Sequence, residues 1–523
     1  MSDLLKGEDE MQKKLIKNVW IYDGTGTRPF FSNLLIENCK IKKIEKGIQA
    51  SAQEIIDGKE MALSPGFINV HSHSDLIVLN DKKMEHVIRQ GITTELVGQD
   101  GSSVAPVTDK IVHELADNMA PLAGVVEREY WWRSMSDYLD EVKRVNPPVK
   151  IESLIGHGTV RMCVMGNENR KPTSDELDRM KEIVRDSMDE GAKGLSLGLI
   201  YPPGSYADTE ELIEICKVIA EYDGIMMVHM RNEQDKILDS LDEMIKVAEE
   251  SKVRVHISHL KALGPSNWGK VREALGRIEE LNKKGMEMNF CQYPYEAACT
   301  GLKVIVPAWA YEGGENAFQE RLTKKEIYQK ILEGVEHNIE ARGGADKILI
   351  ATVRTNENAW MSGKDLKYIA EKIQLSAGDA ALYLLKNEGP SVLAVYFAIS
   401  LDDVAYIMKS PLQTICTDGI MGSHPHPRTY GSFPRVLGKY VRELKIMSLQ
   451  EAIRKMTMEP ARRLHLWDRG IIREGMSADL VLFDPETVSD KSTYLEPKLY
   501  PEGIHSVWVN GDLKFQKIDY YMH

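Results

Sequence analysis

The stretch Gly66-Phe67-Ile68-Asn69-Val70-His71-Ser72-His73-Ser74-Asp75 decides the fold, because it joins a short apolar strand to two histidines. Side chains alternate between the two faces of a strand, so His71 and His73 share one face and can bind one ion. A His-x-His pair alone is weak evidence of a metal site, since imidazoles also occur in ordinary surface strands. The pair gains weight from the strand-like runs that follow it.

Further strand-like runs end in residues that can bind a divalent metal. These residues are Asp100, His229, His259 and Asp418. With His71 and His73 they make six imidazole and carboxylate groups, a donor set suited to divalent ions. In a (β/α)8 barrel the carboxyl ends of all strands meet at one face, so the six groups are expected to form one site.

The central part of the chain alternates strands with helical stretches, a pattern that predicts βα units and a parallel sheet. The candidate strands are Phe67 to His73, Thr93 to Asp100, Glu152 to Gly158, Gly194 to Leu199, Ile225 to Arg231, Val253 to Leu260, Glu287 to Tyr295 and Leu412 to Gly419. Eight strands close a barrel. We therefore predict an α/β fold with a (β/α)8 TIM barrel over residues 66–465.

Two other parts of the chain are expected to flank the barrel. Residues 1–65 and 466–523 contain short alternating strands with turns between them, so we predict that both chain ends form one small β-sandwich. The gap between the last two barrel strands is longer than one crossover connection. We predict an insertion at about residues 302–360 that caps the barrel mouth.

Composition and charge exclude several classes of partner. The chain of 523 residues is 43% hydrophobic and 28% charged, which is typical of a globular protein. Its net charge of -13 argues against nucleic acid and anionic membranes as partners. No stretch reaches the length of a membrane span, and Met1–Glu10 is acidic where a signal peptide is basic.

Cysteine usage indicates the compartment. The six cysteines show no CxxC pair and no framework spacing, which predicts reduced thiols in a cytoplasmic protein. The sequence leaves the oligomeric state open, with a homo-oligomer among the alternatives.

Several motifs together resemble one known group of enzymes. They are Pro65-Gly66-Phe67-Ile68-Asn69-Val70-His71-Ser72-His73, Gly91-Ile92-Thr93-Thr94, Tyr201-Pro202-Pro203-Gly204, His229-Met230-Arg231-Asn232-Glu233, Ile257-Ser258-His259-Leu260-Lys261, Tyr293-Pro294-Tyr295, Thr417-Asp418-Gly419 and His424-Pro425-His426-Pro427-Arg428. Over nearly its whole length the chain resembles the amidohydrolase superfamily and, within it, the N-acyl-D-amino-acid deacylases (D-aminoacylases). The first motif alone would indicate only the superfamily. The Tyr-Pro-Pro-Gly and His-Pro-His-Pro-Arg stretches are typical of a much smaller group of proteins, the deacylases.

This resemblance implies two metal positions. His71, His73 and Asp418 would line one position, and His229 and His259 would hold the other, more tightly occupied zinc. The family completes the tight position with a cysteine, whereas this chain has Asp100 in the corresponding turn. A carboxylate favours zinc less exclusively than a thiolate does, so we expect one or two divalent ions, with Zn first and Mn, Co or Fe also admitted.

The resemblance also implies the chemistry. A bound metal polarises the amide carbonyl and activates a water, and Asp418 would act as general base and then as general acid. Tyr201, Lys261 and Arg428 would hold the α-carboxylate of the substrate. Lys193 is expected at a strand entrance and not in the site, because it shares strand parity with the apolar Leu195.

We predict a metal-dependent hydrolase that cleaves the linear amide bond of N-acyl-D-amino acids, a small-molecule substrate class. Alternatives are a cyclic-amide hydrolase of the dihydroorotase or hydantoinase type, or a dipeptidase acting on D-containing peptides. A non-enzymatic scaffold is disfavoured, because a scaffold has no reason to carry both histidine pairs and Asp418. Residue spacing does not distinguish D from L substrates, so stereochemistry rests on the resemblance.

Overall fold

The computed structural model describes residues 13–49, 51–123 and 132–517. The acidic stretch Met1–Glu10, from which we predicted that no signal peptide is present, lies outside these ranges, as do the outermost residues of the predicted terminal unit. Across the described ranges, no helix is both long enough and apolar enough to cross a lipid bilayer.

Every candidate barrel strand is present. Barrel strands 1 to 8 are Phe67–Asn69, Ile92–Val97, Lys150–Ser153 with Ile155–Gly156, Gly194–Gly198, Ile225–His229, Arg254–Ile257, Met288–Gln292 and Gln413–Ile415. Strands 1 to 3 form one parallel sheet, and the end of strand 3 together with strands 4 to 8 forms another. The strands are ordered as we predicted for an amidohydrolase-type barrel.

Short contacts connect the two sheets at both seams. At one seam, only Leu154 separates the two halves of barrel strand 3. At the other, the Asp418 amide donates a hydrogen bond to the His71 carbonyl at 3.0 Å, and Ser72 forms an isolated parallel bridge with Gly419. The second seam therefore lies directly at the residues predicted to bind metal.

Helices and loops complete the βα units. The helices outside the insertion are Ile77–Asn80, Glu85–Ile88, Val112–Ala123, Met135–Val145, His157–Met165, Ser174–Asp189, Thr209–Glu221, Ile237–Ser251, Lys270–Lys283, Leu401–Ile407, Arg428–Arg435, Val436–Glu443, Leu449–Met456 and Met458–Arg463. Local sequence explains their starts, since Thr173 and Glu176 form a capping box and Asp208 accepts a hydrogen bond from the Glu211 amide.

The strands end earlier than the sequence predicts. The predicted third strand extends to Gly158, but His157 already begins a helix. The predicted first strand extends to His73, but the observed strand ends at Asn69. The candidate ligands thus lie mainly in the turns after the strands, where the backbone leaves the sheet.

Both chain ends contribute to one sheet of eight strands. Its strands are Lys13–Ile21, Phe30–Glu37, Lys40–Ile44, Glu54–Asp57, Ala62–Pro65, Leu480–Phe483, Ile504–Val509 and Asp512–Gln516. The two ends meet where Ala62–Pro65 pairs antiparallel with Leu480–Phe483. Alternate side chains of this sheet, among them Leu480 and Leu482, enclose a separate apolar core, whereas Val481 and Phe483 pack on the barrel core.

The insertion is longer than predicted and has its own core. Its sheet contains Ala298–Gly301, Ile348–Thr352, Lys364–Asp365 and Leu393–Tyr396, and its helices are Gly314–Leu322, Lys325–Ala341, Leu366–Ile373 and Ala377–Glu388. Ala298–Gly301 pairs with Leu393–Tyr396, so this sheet begins before residue 302 and ends after residue 360. We call residues 298–396 the insertion.

Candidate metal centre

The six predicted metal ligands lie together at the carboxyl ends of the barrel strands, and all six are buried. At three of them the backbone is left-handed, with φ of 55° at Asp100, 35° at His259 and 47° at Asp418. Residues other than glycine adopt this conformation rarely and at an energetic cost. The strain is concentrated where strands turn to direct side chains to one point.

The first group of candidate ligands is His71, His73, Asp100 and Asp418, whose donor atoms lie within 4.8 Å of one another. Oδ1 of Asp418 lies 3.5 Å from His71 Nε2 and 3.1 Å from His73 Nε2. The second group is Asp100, His229 and His259, whose donor atoms also lie within 4.8 Å of one another.

Asp100 belongs to both groups. Its Oδ1 lies 3.6 Å from His71 Nε2 and 3.7 Å from His259 Nε2. Its Oδ2 lies 3.6 Å from His73 Nε2 and 3.7 Å from His229 Nδ1. One carboxylate therefore faces histidines of both predicted metal positions.

The donor atoms fit a divalent ion. His71 Nε2, His229 Nδ1 and Asp100 Oδ1 are buried without a hydrogen-bond partner, and each faces the shared space between the two groups. A buried polar atom without a partner is expensive unless something binds it. Imidazole nitrogens with carboxylate oxygens are donors that zinc and related ions accept.

Charges within the site reinforce one another. Burial alone lowers the pKa of His71, but Asp100 and Asp418 raise it to about 10. Burial also lowers the pKa of His229, but Glu233 and Asp100 raise it to about 9. Against the effect of burial, Arg428 and His71 hold the pKa of Asp418 far below its usual range, so Asp418 is ionised. The carboxylates of Asp100, Asp418 and Glu233 therefore favour a positive charge between them.

Glu233 is a functional candidate to which the sequence analysis assigned no role. Its carboxylate is buried, with one oxygen 3.3 Å from His229 Nε2 and the other 3.2 Å from His259 Nδ1. These are the ring nitrogens that face away from Asp100, so Glu233 orients both imidazoles from behind. The available signal was the spacing of four residues between His229 and Glu233, but that spacing alone assigns no role.

The three predicted substrate-binding residues line the same cavity as five of the six candidate ligands. Lys261 Nζ lies 2.7 Å from Glu233 and 2.8 Å from His259 Nδ1. Arg428 Nη1 lies 2.9 Å from Asp418, and the Tyr201 hydroxyl lies 2.9 Å from the Thr300 hydroxyl. The structure thus brings them to the site, with Lys261 and Arg428 each beside a carboxylate of the protein.

Other residues considered in the sequence have structural surroundings. His157 lies 2.8 Å from Glu211, and His424 and His426 each contact a backbone carbonyl, of Tyr494 and Ala297 respectively. Lys193 forms an ion pair with Glu152 at 3.3 Å and is partly exposed. None of these four belongs to either group of candidate ligands.

Two adjoining cavities occupy the barrel mouth. The inner cavity is lined by Lys261, Arg428 and all of the candidate ligands except His71. The outer cavity, of about 780 Å³, lies between the barrel and the insertion. Residues that line both include Tyr201, Leu263 and Arg342, so the two spaces adjoin. The arrangement suits a reaction at buried metal with room outside for the rest of a small substrate.

Comparison with known proteins is consistent with this geometry. The model of the Amidohydrolase family matches residues 54–308 and 393–514. The D-aminoacylase of Alcaligenes xylosoxydans xylosoxydans is 33% identical over 94% of this chain and 92% of its own length. The N-acyl-D-glutamate deacylase of the same organism is 31% identical over 96% and 94%.

A solved structure covers the same extent. The N-acyl-D-glutamate deacylase from Bordetella bronchiseptica, crystallised with zinc and a phosphonate mimic of the tetrahedral intermediate, superposes with a TM-score of 0.84 at 30% identity. The match covers 97% of each chain. The similarity therefore includes the barrel, the terminal sheet and the insertion.

Proposed function

The chain belongs to the amidohydrolase family and, within it, to the N-acyl-D-amino-acid deacylases, and from this membership we propose which residues carry its reaction. The reaction is hydrolysis of the linear amide bond of an N-acyl-D-amino acid, which yields a carboxylate and a D-amino acid. The observation that carries the residue assignment is the buried group of histidines and aspartates around Asp100.

His71, His73 and Asp418 would hold one divalent ion, and His229 and His259 the other, with Asp100 between them. Zinc is the expected metal, and the carboxylate of Asp100 also admits Mn, Co or Fe. When bound, the metal supplies Lewis acidity toward the amide carbonyl and a water that loses its proton near neutral pH.

Asp418 is the proposed general base and acid. It is ionised, buried and held at 2.9 Å by Arg428, so its carboxylate is oriented to accept a proton from the attacking water. The same oxygen then delivers that proton to the nitrogen of the leaving D-amino acid. Arg428 acts on this step as a positioning residue through its ion pair.

Lys261, Arg428 and Tyr201 are the proposed site for the α-carboxylate. All three line the inner cavity beside the metal ligands, where the carboxylate next to the reacting amide must lie. Glu233 holds the Lys261 ammonium in the inner cavity by an ion pair of 2.7 Å.

We also propose how the chain is divided and where it works. Residues 1–65 and 466–523 form the terminal unit and residues 66–465 the barrel, with the insertion capping its mouth. The shared terminal sheet supports this division, as does the gap between residues 308 and 393 in the family match. The six cysteines are all free, which supports a cytoplasmic location.

The decisive test is amino-acid release from matched N-acetyl-D-methionine and N-acetyl-L-methionine. We would compare protein loaded with zinc, protein loaded with manganese and protein stripped by chelator. The proposal predicts release from the D enantiomer only, lost on chelation and restored by metal. If metal-replete protein releases nothing from either enantiomer but opens cyclic amides or cleaves D-dipeptides, the proposal is wrong.

A further inference from the structure

Arg342 comes from the insertion but reaches the barrel site. It directly follows the insertion helix Lys325–Ala341, whose end lies against the loop after barrel strand 6. At Gly264 in that loop, φ is +90° and a Cβ atom would overlap with the Ala341 carbonyl oxygen. Only glycine permits so close an approach, and the approach places Arg342 at the boundary between the two cavities.

The guanidinium of Arg342 is buried without a carboxylate partner. Only 8% of the residue is exposed, and it donates a hydrogen bond of 2.9 Å to the Asn338 carbonyl. Its carbon Cζ lies 5.6 Å from the ring centre of Tyr396. Burial lowers the pKa of Arg342 more than Tyr396 and Glu233 raise it. Among the described side chains, Arg342 forms no ion pair within 4.0 Å.

A buried guanidinium without a carboxylate partner is stabilised when an anion binds beside it. Moving an ionised group out of water is unfavourable unless a counter-charge and hydrogen bonds replace the solvent. The other two cations of the inner cavity already have such partners, because Lys261 pairs with Glu233 and Arg428 with Asp418. Arg342 also lines the outer cavity, where Glu315 accepts a hydrogen bond from Gln319 instead.

Arg342 differs in position from the two cations of the proposed α-carboxylate site. Lys261 and Arg428 line only the inner cavity, whereas Arg342, like Tyr201, also lines the outer cavity. The α-carboxylate is joined to the carbon that bears the reacting nitrogen, so it must remain close to the metal. An anion at Arg342 therefore belongs to a part of the substrate that extends toward the outer cavity.

We propose that Arg342 binds a second carboxylate of the substrate, so that the preferred substrates are dicarboxylic N-acyl-D-amino acids. This inference rests on the proposed function and names its substrate class. The second carboxylate can belong to an acidic side chain or to an acidic acyl group, and Arg342 recognises either by charge-assisted hydrogen bonds.

The test compares acids with their neutral amides. One arm measures kcat and KM for N-acetyl-D-glutamate and N-acetyl-D-glutamine, and the other for N-succinyl-D-methionine and its terminal amide. The wild type should favour the acid in at least one arm, and that arm identifies the source of the carboxylate. In Arg342→Gln the preference should fall by about ten- to a hundredfold, mainly through KM, because a charged hydrogen bond is lost.

Two control variants separate recognition from folding. Arg342→Lys keeps the charge and should retain part of the preference. Arg321→Gln also removes a guanidinium from the insertion that is bonded to backbone carbonyls, but this residue lines neither cavity, so the preference should stay unchanged. Thermal unfolding of each variant shows whether the insertion remains folded.

The outcomes are distinguishable. Equal rates for acid and amide in both arms of the wild type would overturn the inference, as would an equal loss for all four substrates in folded Arg342→Gln. Either result would leave the proposed function standing, provided that N-acetyl-D-methionine is still hydrolysed. Failure of the proposed function itself would appear as no release from N-acetyl-D-methionine by metal-loaded wild type.

Discussion

The direction of the Asp100 side chain depends on two nearby glycines in the same turn. Gly98 and Gly101 have φ of 75° and 76°, and a Cβ atom at either position would overlap with backbone, of Leu154 and Gly198 respectively. The turn therefore packs tightly against barrel strands 3 and 4, and Asp100 itself adopts a left-handed conformation. This tight packing sets the direction of the Asp100 carboxylate, whose two oxygens face both groups of candidate ligands.

Asp100→Cys should change the metal preference. A thiolate is softer than a carboxylate and presents one donor atom, so bound zinc should increase relative to manganese and cobalt. Competitive loading followed by elemental analysis measures this ratio. Asp479→Cys, at a buried aspartate paired with Arg469, is the control and should retain the wild-type ratio. An unchanged metal profile in Asp100→Cys would show that Asp100 is not a ligand.

Asp418→Asn should lose most of its turnover. The amide keeps the size of the side chain but cannot accept and return a proton, so kcat should fall by about a hundred- to ten-thousandfold. The ion at Asp100, His229 and His259 should remain, as measured by metal content after dialysis. Normal turnover in this variant would eliminate Asp418 as the base, and loss of all metal would mean that the two positions depend on each other.

At the scale of elements, the contact between insertion and barrel depends on Gly264. Gly264→Ala adds a Cβ that overlaps with the Ala341 carbonyl, so the helix Lys325–Ala341 must shift and carry Arg342 with it. We expect a loss of about 1–3 kcal/mol in the free energy of unfolding and a raised KM. Denaturant unfolding and steady-state kinetics measure the two effects.

Gly269→Ala provides a matched control for that variant. Gly269 has the same φ of +90°, but an added Cβ would meet nothing within 4 Å. Gly269→Ala therefore introduces the backbone strain without the overlap, and the KM of this variant should equal that of the wild type. Equal effects of the two substitutions on KM would mean that the close approach at Gly264 does not position the insertion.

At the scale of the whole molecule, we expect metal binding to stabilise the folded state. The candidate ligands come from barrel strands 1, 2, 5, 6 and 8, so an ion between them ties distant parts of the chain together. An ion that binds only the folded state stabilises it by about 2.7 kcal/mol at a hundredfold excess over Kd. Chelation should therefore lower Tm and added zinc should restore it, as followed by calorimetry.

The variant Asp100→Asn gives the control for this measurement. The amide preserves the turn but removes the negative charge shared by both groups of ligands, so the Tm difference between metal-loaded and chelated protein should shrink. A wild-type Tm that does not respond to chelation would contradict metal binding at this site.

Much of the fold was predictable because its signals are local. Alternation along strands and the βα pattern depend on neighbouring residues, so all eight barrel strands and their order follow from the sequence. The histidine pair at residues 71 and 73 is local in the same way. The strand ends were predicted too far, because the turns into the site follow from packing and not from alternation.

The sequence by itself determined the α/β barrel fold and, through resemblance, the deacylase family, and it predicted the types of the candidate metal ligands. Only the tertiary structure showed that Asp100 faces both ligand groups, that Glu233 orients His229 and His259, and that Arg342 reaches the site from the insertion. These relations join residues far apart along the chain, and side-chain packing at the barrel mouth sets their distances. No local pattern encodes such distances, because they depend on how separate elements pack against one another.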